Sequence, residues 1–360
     1  MRIYYAAEYK YPIQKGTRLW YNNLYLPLVD LGYDIIPFDY NITPHFVHLD
    51  FNKPANKKFI DENRIKLENA LLEQVRSAHR KQKIDVFLSY FYSAICRPEI
   101  ISEIKEMGII TINWYCNASY QFHLVKDIAP AYDYCLVPEK FRLDDYKNIG
   151  ANPIYFQEAA NPKIYKPYSL NKNIDVSFVG GKYGDRVEWV NYLTSNQVRI
   201  NVSGSGWKYR SIRDNLKKIL KPNEVVFPNK SEYLITHNII SDKEYVELYS
   251  KSKISLGFSS CGDTHKSSER ILQVRLRDFE APMSGAFYMT EYQQEIEEFF
   301  DVGRELICYH NKEDLVEKAK YYLKHDVERN KIAKAGYNRC IAEHTWQRRF
   351  SNLFLNLIKI

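Results

Sequence analysis

No Cys-x-x-Cys pair occurs in these 360 residues. Nor is there a run of the roughly 18 apolar residues that a membrane span needs. The six cysteines, at 96, 116, 135, 261, 308 and 340, are too widely and irregularly spaced for a zinc site or a disulfide scaffold. They read as buried thiols of a reducing compartment. The N-terminal MRIYYAAEYKYP lacks the apolar core of a signal peptide, so a cytoplasmic protein is expected. Catalytic signatures are missing too. There is no G-x-S-x-G, no H-E-x-x-H, no G-x-G-x-x-G and no Walker A loop. These absences weigh against nucleophile-elbow, zinc-peptidase, dinucleotide and P-loop chemistry.

What is present belongs to a folded chain. Hydrophobic residues make up 45% and charged residues 26%, which excludes a disordered, collagenous or low-complexity protein. The length suits about two domains. Fifty-one Lys and Arg against 44 Asp and Glu leave a formal charge of +7. That mild excess suits an anionic small substrate or a peripheral contact with a membrane surface. It is dispersed along the chain and carries no recognition motif, so nucleic acid is not an expected partner.

Short apolar runs alternate with helical patterns. Strands are expected at 1–6, 33–38, 84–89, 109–113, 132–138 and 153–157. Helices are expected at 18–31, where Pro27 predicts a kink or an early end, and at 57–82 and 98–107. The stretch EAANPKIYKPYSLNKN (158–173) has two prolines and no period, and reads as a linker. Alternation then restarts, with strands at 174–179, 198–202, 253–258, 285–289 and 305–308. Helices follow the pattern at 186–195, 241–252, 311–324, 327–340 and 345–358. The fold class is α/β: two doubly wound, Rossmann-like domains facing a cleft. The expected boundaries are 1–160, a linker at 161–173, 174–342, and a C-terminal helix at 343–360 that packs back on the first domain. Ligands of such sheets bind at the carboxyl ends of the strands.

Three stretches could carry chemistry. In VSFVGGKYGDR (176–186) an apolar strand ends in Gly180-Gly181 and a helix begins at Arg186. Paired glycines let a ligand approach the backbone, and a helix N-terminus favours phosphate. Lys182 and Arg186 add charge. The same residues also fit a plain tight turn. GSGW (204–207) again follows a strand. In 255–289 a strand enters a loop rich in Ser, Gly and Thr, followed by Arg270, Arg275, Arg277 and then Glu280. A carboxylate among arginines is an ion-pair network or a site, and it can accept hydrogen bonds from a ribose diol.

The stretch Arg277-Asp278-Phe279-Glu280-Ala281-Pro282-Met283-Ser284-Gly285 resembles the R-x-F-E-x-x-x-x-G signature of the CgeB-like (spore-protein-type) glycosyltransferases. The similarity continues through Phe300, Gly303, Glu305, DLVEKAKYYL and the AKAGYNRC…HTWQRR tail. Upstream, NPKIYKP, DVSFVGGKYGDR and GSGW follow the same order. It covers roughly 150–350. The resemblance implies a GT-B architecture and transfer of a sugar from a nucleotide-diphosphate sugar, without an obligatory metal or other cofactor. It places Glu280 on the ribose hydroxyls, and Lys182, Arg186 and the Gly181 backbone on the diphosphate, with Arg277 beside them. Asn238 and Ile240 would border the nucleobase. Lys266 would lie in a loop over the sugar and phosphates, and Gly204 would line the donor site. Gly16 and Thr17 would approach the donor phosphate from the first domain. The acceptor, a carbohydrate, lipid-linked or protein group, would lie near 8–18.

Two departures stand out. Position 272, eight before Glu280, is Leu272, so the glutamate pair of many retaining relatives is absent. The NWYCN stretch carries Asn117 where relatives tend to have an Asp. Retention or inversion therefore stays open, as do a non-catalytic sugar-binding or surface-assembly role and a nucleotide-sugar epimerase. Glu8, His45 and His123 are the candidate general bases.

Overall fold

The computed structural model describes residues 1–13, 17–51, 53–207, 231–237, 240–262, 264 and 270–357. The chain forms two compact units, Met1–Glu158 with Trp346–Ile360, and Ala159–Thr345.

The first unit is built on a parallel sheet of β1 (Arg2–Ala6), β2 (Asp34–Pro37), β3 (Val86–Ser89), β4 (Ile110–Trp114), β5 (Tyr134–Val137) and β6 (Pro153–Tyr155), in the order β2-β1-β3-β4-β5-β6. Its central strands are buried on both faces, as continuous apolar runs such as VFLS require. The helices are α1 (Leu26–Asp30), α2 (Pro54–Lys81), α3 (Pro98–Glu106), α4 (Ala118–Val125) and α5 (Leu143–Asn148). Pro27 does not end its helix. The chain winds Tyr21–Tyr25 as a π-helical turn, with the Leu26 N–H on the Tyr21 carbonyl, and runs on through Pro27. The wider turn falls where the proline ring would crowd the preceding turn. Sequence periodicity did not anticipate α4. His45 stands in a 3-10 turn (Thr43–Phe46) that buries it. The last helix of the chain (Trp346–Leu357) belongs to this unit, with Trp346 edge-on to Trp114 at 5.6 Å between centroids.

The second unit holds β7 (Ile174–Val179), α6 (Arg186–Ser195), β8 (Ile200–Ser203), β9 (Leu234–His237), α7 (Asp242–Lys251), β10 (Ser252–Leu256), α8 (Leu276–Met283), β11 (Tyr288–Glu291), β12 (Ile307–Tyr309), α9 (Lys312–Lys324) and α10 (Asp326–Glu343). Its sheet is also parallel, in the order β12-β11-β10-β7-β8-β9. β9 was not legible beforehand: it is an edge strand, LITH, with only Leu234 fully buried. Residues 161–173, read as a linker, fall in this unit, where Pro167 packs against Gly285. β7 and β10 are adjacent, but β8 continues one way from β7 and β11 the other way from β10. This reversal is the switch point of a doubly wound sheet, where strand-end loops diverge and leave room for a ligand.

Candidate functional site

The loop after β7 runs alongside the loop after β8. Gly180 N–H donates to Ser203 O, Lys182 N–H to Ser205 O and Trp207 Nε1–H to Gly180 O, at 2.7 to 2.8 Å. The approach is close enough that a Cβ on Gly204 would stand 2.3 Å from the Gly180 oxygen, and Gly204 has φ +141°. Only glycine fits there. A Cβ on Gly180 would meet Arg277 Nη2 at 2.8 Å and Arg186 Nη1 at 3.3 Å. The bare Gly180 backbone is thus flanked by two guanidiniums.

Those cations come from different elements. Arg186 opens α6, which has no side-chain cap at its N-terminus. Arg275 and Arg277 stand at the start of α8. Arg186 is 2% exposed; it donates to Gly181 O at 2.9 Å and to the Tyr183 hydroxyl. Its guanidinium carbon is 5.2 Å from the Phe178 ring centroid, and that of Arg277 is 5.1 Å from the same ring. Neither Arg186 nor Arg277 forms an ion pair with a carboxylate among the described residues. The electrostatics register the crowding. Burial, with Arg277 and Arg275 nearby, brings the Arg186 guanidinium down to about 10, against the opposing pull of Tyr183. Burial would raise the Tyr183 phenol, yet Arg275, Arg186 and Arg277 together hold it below its ordinary value. Burial would lower Arg277, but the hydroxyls of Tyr245, Tyr249, Tyr288 and Tyr183 shift it upward. The result is a cluster of positive charge at the switch point, beside a helix N-terminus with no side-chain cap.

Glu280 lies in the next turn of α8 and is 2% exposed. Its Oε2 accepts from the Tyr245 hydroxyl at 2.8 Å. The neighbouring Asp278 is fully structural. It accepts from Arg275 N–H at 2.7 Å and from the Tyr288 hydroxyl at 2.6 Å, and burial pushes its carboxyl up.

A second ion network fixes the frame. Arg270 donates to Asp185 Oδ2 at 2.6 and 3.0 Å and to both oxygens of Glu291, while Trp189 Nε1–H reaches Asp185 at 3.0 Å. It ties the N-terminus of α6 to the end of β11. This pairing of a conspicuous arginine with two distant carboxylates has no sequence signal, because its members lie 85 and 21 positions from Arg270.

The remaining predicted residues separate by unit. Gly181, Lys182, Gly204 and Ile240 belong to the second unit, with Lys182 in the loop beside Arg186 and Ile240 just ahead of the Ser241 cap of α7. Asn238, Lys266 and Gly16 lie outside the described residues. Thr17 is half-buried in the first unit. There, Glu8 is 1% exposed and its carboxylate is committed to backbone: it accepts from Ile13, Trp20 and Tyr21 N–H at 2.7 to 3.3 Å. It pins the loop after β1, while burial raises its carboxyl despite those hydrogen bonds. His45 is buried against the Phe59 ring, and His123 is exposed on α4. No group of three or more His, Cys, Asp or Glu side chains among the described residues is arranged to hold a metal ion. No helix among them is long and apolar enough to cross a membrane.

Residues 186–354 match the family model described as glycosyl transferase-like. That span begins at Arg186 and includes α8 with its arginines and Glu280. Solved structures align over the whole chain. A sucrose-phosphate synthase from Thermosynechococcus elongatus superposes with a TM-score of 0.63 at 11% identity, covering 100% of both chains. HepE of Anabaena, in complex with UDP-glucose, gives 0.62 at 10% identity over 100% of both. A DNA-modifying β-glucosyltransferase gives 0.57 at 13% identity, again over 100% of both. The chain has the GT-B fold. The arginine cluster lies at the switch point of the second unit's sheet. No curated protein sequence matches the chain.

Proposed function

We propose that this protein is a glycosyltransferase that takes a sugar from a nucleotide-diphosphate sugar and passes it to an alcohol acceptor. The observation that carries this reading is the cluster of Arg186, Arg275 and Arg277 around Gly180, at the end of β7. Neither Arg186 nor Arg277 has a carboxylate at ion-pair distance among the described residues, and the cluster adjoins a helix N-terminus that has no side-chain cap. The glycosyl transferase-like match over 186–354 and the CgeB-like pattern at 277–287 support the same chemistry.

In this reading the diphosphate lies across the Gly180-Gly181 backbone. As the glycosidic bond to the donor breaks, negative charge builds on the leaving diphosphate. Fixed guanidiniums that are already desolvated stabilise that charge without reorganising. Lys182 reaches the same oxygens from the loop. Glu280 accepts from the ribose diol, with Oε2 oriented by Tyr245. Cationic side chains, rather than a divalent ion, take up the charge, so EDTA leaves turnover unchanged. The base that activates the acceptor belongs to the first unit. Glu8 is poorly suited to it, because three backbone N–H groups already occupy its carboxylate.

The test is a thermal-shift panel of UDP, GDP, dTDP and CMP on the wild type and on Glu280→Ala. A ligand at about 100 times its Kd stabilises by roughly 2.7 kcal/mol, well within reach of such a scan. A shift with one nucleotide, lost in the variant, supports the reading and names the donor base. No shift with any of them, at millimolar ligand, overturns it.

A further inference from the structure

Glu280 is oriented from a neighbouring helix. The terminal torsion of a glutamate is soft, so the direction of its oxygens is set by what they touch. Tyr245 of α7 touches them here: its hydroxyl donates to Oε2 at 2.8 Å. Tyr245 is held in turn. Its oxygen accepts from the Tyr249 hydroxyl at 2.8 Å, one helical turn on, with ring centroids 5.0 Å apart. The Tyr165 ring stands edge-on to the Tyr245 ring at 6.2 Å. Both neighbours are buried, Tyr249 at 1% and Tyr165 at 2% exposure. The start of α7 is fixed by a reciprocal cap: Glu244 N–H donates to Ser241 Oγ at 3.3 Å, and Ser241 N–H to Glu244 Oε2 at 2.8 Å. On the α8 side, the Ser284 hydroxyl donates to Glu280 O at 2.8 Å.

Proton count fixes the roles. A phenol has one proton to donate. Tyr249 gives its proton to Tyr245, and Tyr245 gives its own to the carboxylate. Burial, with Glu280 beside it, keeps the Tyr245 phenol well above its ordinary range, so it stays a donor. A phenol also donates without bringing a countercharge, as an arginine would. A carboxylate offers about four acceptor positions, and a ribose diol uses two of them. A buried acceptor fixed in advance rewards a ligand that fills it. It penalises one that lacks a hydroxyl, because the desolvation of the oxygen then goes uncompensated.

We propose that Tyr245 is the positioning residue that makes this site specific for ribonucleotides, so that the donor is a ribonucleoside-diphosphate sugar and its 2′-deoxy counterpart is rejected. The proposal rests on the donor reading given above, in which Glu280 meets the ribose. Tyr245 acts through Glu280: it holds the carboxylate in the orientation that two adjacent hydroxyls meet together. Without the phenol the carboxylate turns more freely, and the second hydroxyl counts for less.

The experiment is calorimetric titration of wild type and Tyr245→Phe with UDP, GDP, ADP, CDP and 5-methyluridine diphosphate, each paired with its 2′-deoxy counterpart. The wild type should prefer its best ribonucleotide over the 2′-deoxy form by about tenfold, as for a lost hydrogen bond to a charged group. Tyr245→Phe removes only the hydroxyl. It should cut that ratio by about threefold or more, while inorganic pyrophosphate, which has no ribose, binds as it does to the wild type. A residue that merely supports the fold would weaken both members of a pair alike. An unchanged ratio, or a parallel loss of pyrophosphate, overturns the proposal and leaves the donor reading standing. So does a wild type that binds a diphosphate without preferring the ribose. A wild type that binds none of these nucleotides overturns both. If Tyr245→Phe does not melt cooperatively, Tyr249→Phe, which removes the hydrogen bond that orients Tyr245, replaces it, with the same outcomes.

Discussion

The Arg186 guanidinium lies against the Tyr183 ring, its central carbon 3.6 Å from the centroid, and donates to the Tyr183 hydroxyl. A phenol oxygen is a weak acceptor for a cation that is 2% exposed and crowded by Arg275 and Arg277. A multivalent anion would serve the cluster better. Inorganic pyrophosphate should therefore raise the thermal midpoint of the wild type, and sodium chloride at equal ionic strength should not. At about 100 times Kd the gain is roughly 2.7 kcal/mol. Arg186→Gln should abolish most of it. Equal shifts in wild type and variant would show that the anion binds elsewhere.

Gly257 should not tolerate alanine. It directly follows β10, and a Cβ there would stand 1.8 Å from the Tyr288 hydroxyl and 2.6 Å from Thr290 Oγ1. Tyr288 cannot step aside, because its hydroxyl is the 2.6 Å donor to buried Asp278. Displacing it leaves that carboxylate short of a partner, at a cost of about 1–3 kcal/mol on top of the steric strain. Gly257→Ala should lose more than about 3 kcal/mol in urea unfolding. A loss below about 1 kcal/mol would mean that the Asp278–Tyr288 contact is dispensable.

The alternation of strands and helices was legible because parallel strands buried on both faces must be apolar throughout, and such runs stand out between charged helices. β7 and α6 came out with the bounds read from sequence, Ile174–Val179 and Arg186–Ser195. β9 did not, since a short edge strand exposes its side chains and needs no apolar run. At the candidate site, Gly180, Arg186, Arg277 and Glu280 were visible because each follows a strand end or a recognisable signature. Their partners were not. Tyr245 reads as an ordinary amphipathic helix residue until the fold brings it to Glu280, 35 positions away. Nothing in the sequence joins Asp185 to Arg270, 85 positions away. Glu8 shows the reverse error: an acid after the first strand suggests chemistry, but its oxygens hold the backbone of the following loop.

Arg270 should prove essential to the second unit. It is the shared partner of Asp185 and Glu291, whose side chains are 10% and 4% exposed. Burial already raises Glu291 against the opposing effect of Arg270. Arg270→Met would leave two buried carboxylates facing each other, a loss of about 3–5 kcal/mol at neutral pH. The pH dependence follows from the sign of the shift. Without the arginine, the folded carboxyl groups bind protons more readily than the unfolded ones, so stability should recover as pH falls from 7 towards 5. Urea midpoints of the variant at the two pH values test this. A variant that loses further stability on acidification would contradict the assignment of the network.

His45 should make the first unit sensitive to mild acid. It is 3% exposed, packed edge-on to Phe59 at 5.2 Å, with Tyr40 at 6.3 Å and its Nδ1 buried without a hydrogen-bond partner among the described residues. No carboxylate among the described residues compensates the charged form. Burial, with a smaller push from His48, takes the imidazole down from 6.5 to about 4. Below pH 6.5 the unfolded chain therefore binds a proton that the folded chain refuses. Stability is complete above 6.5 and falls as pH drops towards 4, by up to about 3 kcal/mol for this one group. His45→Phe keeps the ring packing and removes the titration. Between pH 7.5 and 4.5 the wild type should lose about 2 kcal/mol more than His45→Phe in urea unfolding of the full chain. Parallel losses would show that acid acts on other groups. A steeper loss in the variant would mean that the imidazole is stabilised in its charged form, the opposite of what its apolar surroundings dictate.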